Sequence, residues 1–279
     1  MRAIELRAPV KMAYQLAPEV KLIGALSRAE KQRAFNMIEH VRRKFERPIK
    51  RNFKTIFKKQ MDEILKLEEP DPFNTLEVVN STNRAMESTL VSAYTKIADE
   101  MFPLVASKDV VKSTYREMEK KGNDSFYQLI IQDWIRNNAG AKIRFINDST
   151  LLSIREIMEN SESMLDFRDN IQHIFEGDII PNRAATISRT ETSAATNRAS
   201  LETVKSLDSA REQDKVWQAV NDEDVRDSHL HLNGRRVGIN DRFEWVGKSG
   251  RAIMDCPCDN TYAAPAGEII NCRCWIAFY

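Results

Sequence analysis

Apolar residues recur every three or four positions after Ser27: Phe35, Ile38, Val41, Phe45, Ile49, Phe53, Ile56, Phe57, Ile64 and Leu65. That spacing predicts one amphipathic helical stretch. Projected at about 100° per residue, Arg43, Arg47, Lys50, Arg51, Lys54 and Lys58 fall on its other face. Pro48 predicts a kink or a split near Arg47. The prolines and acids of 68–74 (EEPDPFN) read as a linker. A second helix is expected from about Ser81, with Met86, Leu90, Tyr94, Ile97 and Met101 on its buried face and Pro103 as its stop.

Further helical stretches are expected over 109–121 and 125–137, with a break at Asn138, Ala139 and Gly140. Residues 142–146 (KIRFI) alternate as a short strand does. A helix is expected over 148–160. The next carries Ser163 as N-cap with Asp166 three residues on, and buries Met164, Phe167, Ile171, Ile174 and Phe175. Gly177 suits its exit and Pro181 the opening of the following helix. That last helix is long, 182–212, and is rich in Ala, Ser and Thr, which lets neighbours approach closely. Arg189 and Glu191 interrupt its small-residue surface.

From Lys215 the texture changes. Residues 215–220 (KVWQAV) read as a strand, and Gly234, Gly238, Gly247, Gly250 and Gly267 punctuate short segments after it. The fold class is therefore α+β: a mostly helical N-terminal body with a small β-rich, glycine-punctuated C-terminal module. Three regions are expected: a basic helical arm over 1–67, a helical middle over 68–146, and a C-terminal domain over 147–279. That domain would hold the long helix and a β-rich Cys/His module at 215–279.

Composition adds a charge split that the net +1 conceals. The first 60 residues hold 16 Lys plus Arg against 5 Glu, and the remainder 26 against 36 acids. A basic arm on an acidic body is the pattern of a contact with nucleic acid or with an acidic protein surface, or of an arm that docks on its own body. No run is long and apolar enough for a membrane span, and no leader with an apolar middle is apparent, as for a soluble protein.

All four cysteines lie near the end, as C-P-C (Cys256, Cys258) and C-R-C (Cys272, Cys274). On strands each pair would present two sulfurs to one face, and two such pairs can enclose a tetrahedral zinc ion. His229, alternate with His231, is an alternative ligand. Free buried thiols and a cross-pair disulfide are the competing readings. Catalytic signatures fail one by one. The H-L-H and thiol spacings do not fit a zinc deaminase. There is no H-E-x-x-H, no phosphate-cradling G-x-x-x-x-G-K-[ST] and no G-x-S-x-G elbow. Asp222 and Asp224 are a pair of acids too ordinary to count as a site.

The order of several elements carries more information. Arg183-Ala184 leads into Ile187-Ser188-Arg189-Thr190-Glu191 and Asn197. Trp217 follows, then Asp224-Val225-Arg226-Asp227-Ser228-His229 and Leu232-Asn233-Gly234. The series ends in Pro265-Ala266-Gly267-Glu268-Ile269-Ile270-Asn271-Cys272-Arg273-Cys274. From about Asp148 onward, the chain resembles the phage Mu F-like minor head proteins, also called phage head morphogenesis proteins.

The resemblance implies a minor component of a tailed-phage head, associated with the portal vertex in assembly, packaging or ejection. Portal protein, other head proteins and double-stranded phage DNA are the implied partners. The virion, and the host cytoplasm during assembly, are the implied locations. Arg189, Glu191, Arg226, His229, Gly234 and Asn271 carry over as structural motif residues, with Cys272 and Cys274. Cys256 and Cys258 sit where relatives more often have a proline- and glycine-containing turn. No catalytic residue is assigned. The alternative is a virion-carried enzyme, a nuclease or an ADP-ribosyltransferase-like effector.

Overall fold

The computed structural model describes residues 27–106, 126–207, 213–220 and 222–279. The expected helix over 109–121 and the end of the one over 182–212 lie outside them. The chain is α+β, as its patterning predicts. Helix α1 spans Arg28–Ile64, α2 Pro72–Ser81, α3 Asn83–Val105, α4 Phe126–Asn160 and α5 Met164–Ile174. A wider π-helical stretch, Phe175–Arg183, joins α5 to α6 (Ala184–Lys205). Then come β1 (Asp214–Gln218), α7 (Asp227–Leu232), β2 (Arg236–Gly238), β3 (Phe243–Gly247), β4 (Gly250–Met254), α8 (Ala266–Ile269) and β5 (Trp275–Phe278).

Helix α1 begins where Ser27 and Glu30 cap each other: Glu30 N donates to Ser27 Oγ and Ser27 N to Glu30 Oε2. Its apolar stripe is buried from Ile38 through Ile64. The helix is not split at Pro48, which lies inside it. One missing N–H costs less than exposing the stripe on both sides of it.

The linker expected at 68–74 is shorter than its prolines suggest. Asp71 caps α2, accepting from the backbone of Phe73 and Asn74, and Pro72 occupies the first helical position, where its missing N–H is no loss. In α3 all five expected residues are buried, but Pro103 sits in the last turns rather than at the stop. The break at 138–140 and the strand at 142–146 are both replaced by the uninterrupted α4. Around the expected strand, Ala139, Ile143, Ile146 and Thr150 are buried, a three-to-four spacing that a five-residue window of alternation conceals.

Ser163 caps α5 as expected, its Oγ accepting from Asp166 N. Phe167, Ile171 and Phe175 are buried, but Met164, in the first turn, is exposed. Gly177 and Pro181 do not end one helix and open another. Both lie in the π-helical stretch, whose wider turns carry the chain past a proline that has no N–H to donate.

The chain divides into two compact units. One gathers the described residues of Met1–Phe45, Ala93–Asp133 and Thr190–Tyr279, the other Glu46–Ser92 and Trp134–Arg189. The second unit is helical. Phe53, Phe57, Ile64, Met86, Leu90, Ile154, Ile171 and Phe175 fill its interior, and Arg183 donates to Ile146 O and Ser149 Oγ with its guanidinium over the Phe57 ring. The first unit holds all the strands among the described residues. β1 is the middle of an antiparallel sheet ordered β2-β1-β5, and β3 pairs with β4 in a hairpin closed by Gly247 and Gly250. Every residue of α6 from Thr190 to Leu201 is buried, the burial that small side chains on all faces predict. No helix among the described residues is long and apolar enough to cross a membrane.

Candidate metal centre

The C-terminal module is assembled from turns that the backbone makes at a few special residues. Gly234, at φ +82°, ends the α7 segment and donates its N–H to Trp217 O, so the chain returns to β1. Asn271 adopts φ 58°, a conformation Asn tolerates better than most residues, and its N–H donates to Thr190 Oγ1 on α6. The Asn271 turn delivers Cys272 and Cys274 to the start of β5. Arg226, at the head of α7, donates to Ile270 O on the same turn.

The segment with His229 and His231 is helical, so the two do not alternate as they would on a strand. Helical spacing turns His229 and Leu232 inward and leaves His231 exposed. His229 Nδ1 lies 3.4 Å from Cys272 Sγ and 3.6 Å from Cys274 Sγ. All three side chains are buried, and their ligating atoms fall within 4.8 Å of one another. The other ring nitrogen, Nε2, is 3.2 Å from Glu268 Oε2, at ion-pair distance but without the alignment of a hydrogen bond. Glu268 is itself 2 % exposed and accepts from Ser228 Oγ and Trp245 Nε1. Its carboxylate fills the space in which a Cβ on Gly247 would sit, which gives that glycine a packing reason. Trp217 and Trp245 stand edge-on to the imidazole, with ring centroids 5.3 and 5.9 Å away.

The thiols do not form two equal pairs. Cys272 and Cys274 face His229 together. The turn after β4 separates Cys256 from Cys258, because Cys258 takes φ 64° where a strand would have kept both sulfurs on one face. Cys258 Sγ donates to Cys272 O at 3.2 Å. Cys256 lies instead in the field of Arg198, Asp259 and Lys215, and burial pushes its thiol up to about 12. Hydrogen bonds from the Cys258 and Cys274 thiols, and from His229, hold Cys272 well below the ordinary thiol range. The same bonds to Cys272, with burial, raise Cys258 and Cys274.

Two adjacent residues of α6 fasten both thiol turns. Asn197 Nδ2 donates to Pro257 O and to Cys274 O. Arg198 pairs with Glu202, with Asp255 at 3.5 Å and with Asp259 at 2.9 Å, and Asp259 is fully buried. Asp259 in turn accepts from the N–H groups of Asp255 and Thr261. Burial works to raise its pKa, but Arg198 and these donors win and lower it. From α1, Arg42 donates to Thr196 Oγ1, Arg273 O and Cys274 O, at 1 % exposure.

Sequence reasoning did not single out Arg42, Arg198, Asp259 or Glu268. Arg198 carried a signal, a lone charge between Asn197 and Ala199 on a small-residue helix. Arg42 carried none, since it sits in a run of basic residues.

The other motif residues are placed as follows. Glu191 is buried and accepts from Tyr94 Oη at 2.9 Å, whereas Arg189 is exposed. Of the basic face of α1, Arg43, Arg47, Arg51 and Lys58 are exposed, and Lys50 and Lys54 are half-buried. A cleft of about 380 Å³ lies beside α7, lined by Asp224, Arg226, Ser228, Lys248 and Glu268 among others. Its charges are mixed, so it selects neither a cation nor an anion.

Comparison with protein families finds that residues 152–277 match the family described as Phage Mu protein F like protein. Comparison with curated proteins and with solved structures gives no match.

Proposed function

Because residues 152–277 match the phage Mu F-like family, and so point to phage head morphogenesis, we propose that this chain is a minor head protein of a tailed bacteriophage. It acts at the portal vertex in head assembly, DNA packaging or ejection, in contact with the portal and other head proteins, as a structural component rather than a catalyst. The family match is the observation that carries this reading. It is supported by where the ordered elements lie: Arg226, His229, Gly234, Asn271, Cys272 and Cys274 all serve the turns of one buried module. The exposed basic face of α1 is the contact surface, toward packaged DNA or toward an acidic portal surface. A zinc ion, the metal that suits imidazole and thiolate donors, would staple the module.

Mass spectrometry of purified virions and procapsids tests the reading. The chain is expected at low copy, and absence from both particles overturns it. Charge reversal at Arg43, Arg47 and Arg51 should weaken binding to duplex DNA and flatten its salt dependence. An unchanged salt slope removes DNA as the partner of that face and leaves the portal.

A further inference from the structure

Resting on the zinc reading above, we infer that the ion's four protein ligands are His229 Nδ1 and the sulfurs of Cys272, Cys274 and Cys258. Cys256 stands outside the site, and Glu268 is the carboxylate that orients His229.

Three of the ligands are already spaced for it. With zinc–sulfur bonds of about 2.3 Å and zinc–nitrogen bonds of about 2.0–2.1 Å, a tetrahedral nitrogen–sulfur edge is about 3.5 Å. The two edges in the structure are 3.4 and 3.6 Å. Sulfur–imidazole hydrogen bonds occupy the same spacing without metal, so these three donors need little rearrangement to exchange protons for an ion. Binding would release those thiol protons.

Cys258 is the nearest further sulfur. It is buried, its sulfur donates to Cys272 O at 3.2 Å, and it holds a left-handed backbone conformation that a residue with a Cβ adopts only at a cost. Its sulfur lies outside the 4.8 Å group formed by the other three donors, so metal binding would have to draw it in. Cys256, two residues earlier, is buried in the field of Arg198, Asp255, Asp259 and Lys215, and no hydrogen bond joins it to the other three donors among the described residues. A sulfur there is a packing group for a charge network.

Glu268 completes the arrangement. A histidine that ligates through Nδ1 carries its proton on Nε2, and a carboxylate facing that proton fixes the tautomer and strengthens the ligand. Glu268 Oε2, 3.2 Å from Nε2 but not aligned with it, is the carboxylate that a turn of the ring on metal binding would bring into that position, and Ser228 and Trp245 hold it in turn.

The test uses the full chain, purified under reducing conditions, with metal content and the visible spectrum after cobalt substitution as readouts. One zinc per chain and an intense tetrahedral cobalt spectrum with thiolate charge transfer are expected. Cys258→Ser should lower cobalt affinity at least tenfold and reduce the sulfur charge-transfer intensity, while Cys256→Ser leaves both unchanged. Glu268→Gln should retain the spectrum but bind metal roughly ten- to a hundredfold more weakly.

If neither zinc nor cobalt binds, the zinc reading falls and this inference with it. If metal binds but Cys256→Ser weakens it as Cys258→Ser does, or Cys258→Ser has no effect, the ligand assignment is overturned and the zinc reading stands. Detection of the chain in virions is unaffected by either result. Circular dichroism of each variant, and Cys258→His, a ligand-preserving change expected to restore affinity in part, separate lost coordination from lost folding.

Discussion

The two compact units bury different things. The helical unit buries mainly apolar side chains, with uncharged polar ones among them and, of the charged residues described, Lys142. One of the uncharged is Gln60, whose amide donates to Val79 O and Thr82 Oγ1, and another is Asn147, which donates to Asn83. The unit that holds the strands buries Arg42, Arg198, Lys215, His229, Asp259, Glu268 and four thiols. Apolar burial is graded: removing a methylene removes its share of the free energy and a little packing. A buried polar network is closer to all-or-none, because a deleted partner leaves another group charged and dry. The helical unit should therefore tolerate trimming, and the stranded unit should be sensitive to single atoms, to pH and to metal.

Arg198→Met is the severest way to sharpen that contrast. It takes the arginine from Asp259 and leaves Asp255 only the more distant Arg242, and breaking a buried pair in this way costs about 3–5 kcal/mol. Urea denaturation of the full chain measures it. A cut at a fully buried apolar position of the helical unit, Ile154→Val, should cost only about 0.5–1.5 kcal/mol. Equal losses for the two variants would erase the distinction.

Arg42→Lys comes next. The charge survives, but a single ammonium cannot reproduce the fork that reaches Thr196, Arg273 and Cys274 at once. With charged hydrogen bonds worth about 1.5–3 kcal/mol each, a loss of about 2 kcal/mol is expected. A loss near zero would mean that this arginine is not a fastening of the thiol turn.

The smallest effect concerns Lys215. It is fully buried, its ammonium has no hydrogen-bond partner and lies over the Phe243 ring, and burial pushes its pKa down to about 8. Between pH 8 and the ordinary lysine range near 10.4, the unfolded chain holds a proton that the folded chain has released, so this group makes stability rise with pH. From pH 8 to 9 the gain should be about 1 kcal/mol, and Lys215→Met should lack it. The thiols titrate in both proteins, so the difference between the two curves isolates the lysine. Parallel curves would show that the folded state keeps the proton.

Much of the fold was legible because its causes are local. The stripe from Ile38 to Ile64, the cap at Ser163, and the small-residue helix all follow from side chains within a few positions of one another. The errors were local evidence read over too short a window. Gly140 looked like a break and 142–146 like a strand, yet 35 residues of α4 have a buried face that a brief interruption does not outweigh. The reverse held at 68–74, where Asp71 and Pro72 are a helix start rather than the middle of a linker.

The sequence by itself determined that the thiols and His229 belong to one module, through the order of its elements and their glycine and asparagine turns. Only the tertiary structure decided which sulfur meets which group. Cys256 and Cys258 are two residues apart, but one faces a buried arginine and the other Cys272, because a positive φ at Cys258 rotates the chain between them. Likewise Glu268 and Arg42 reach the site from 39 and 187 residues away from His229 along the chain. Spacing in sequence encodes periodic faces. It does not encode which face of a distant turn or helix closes on them, and that closure makes the site.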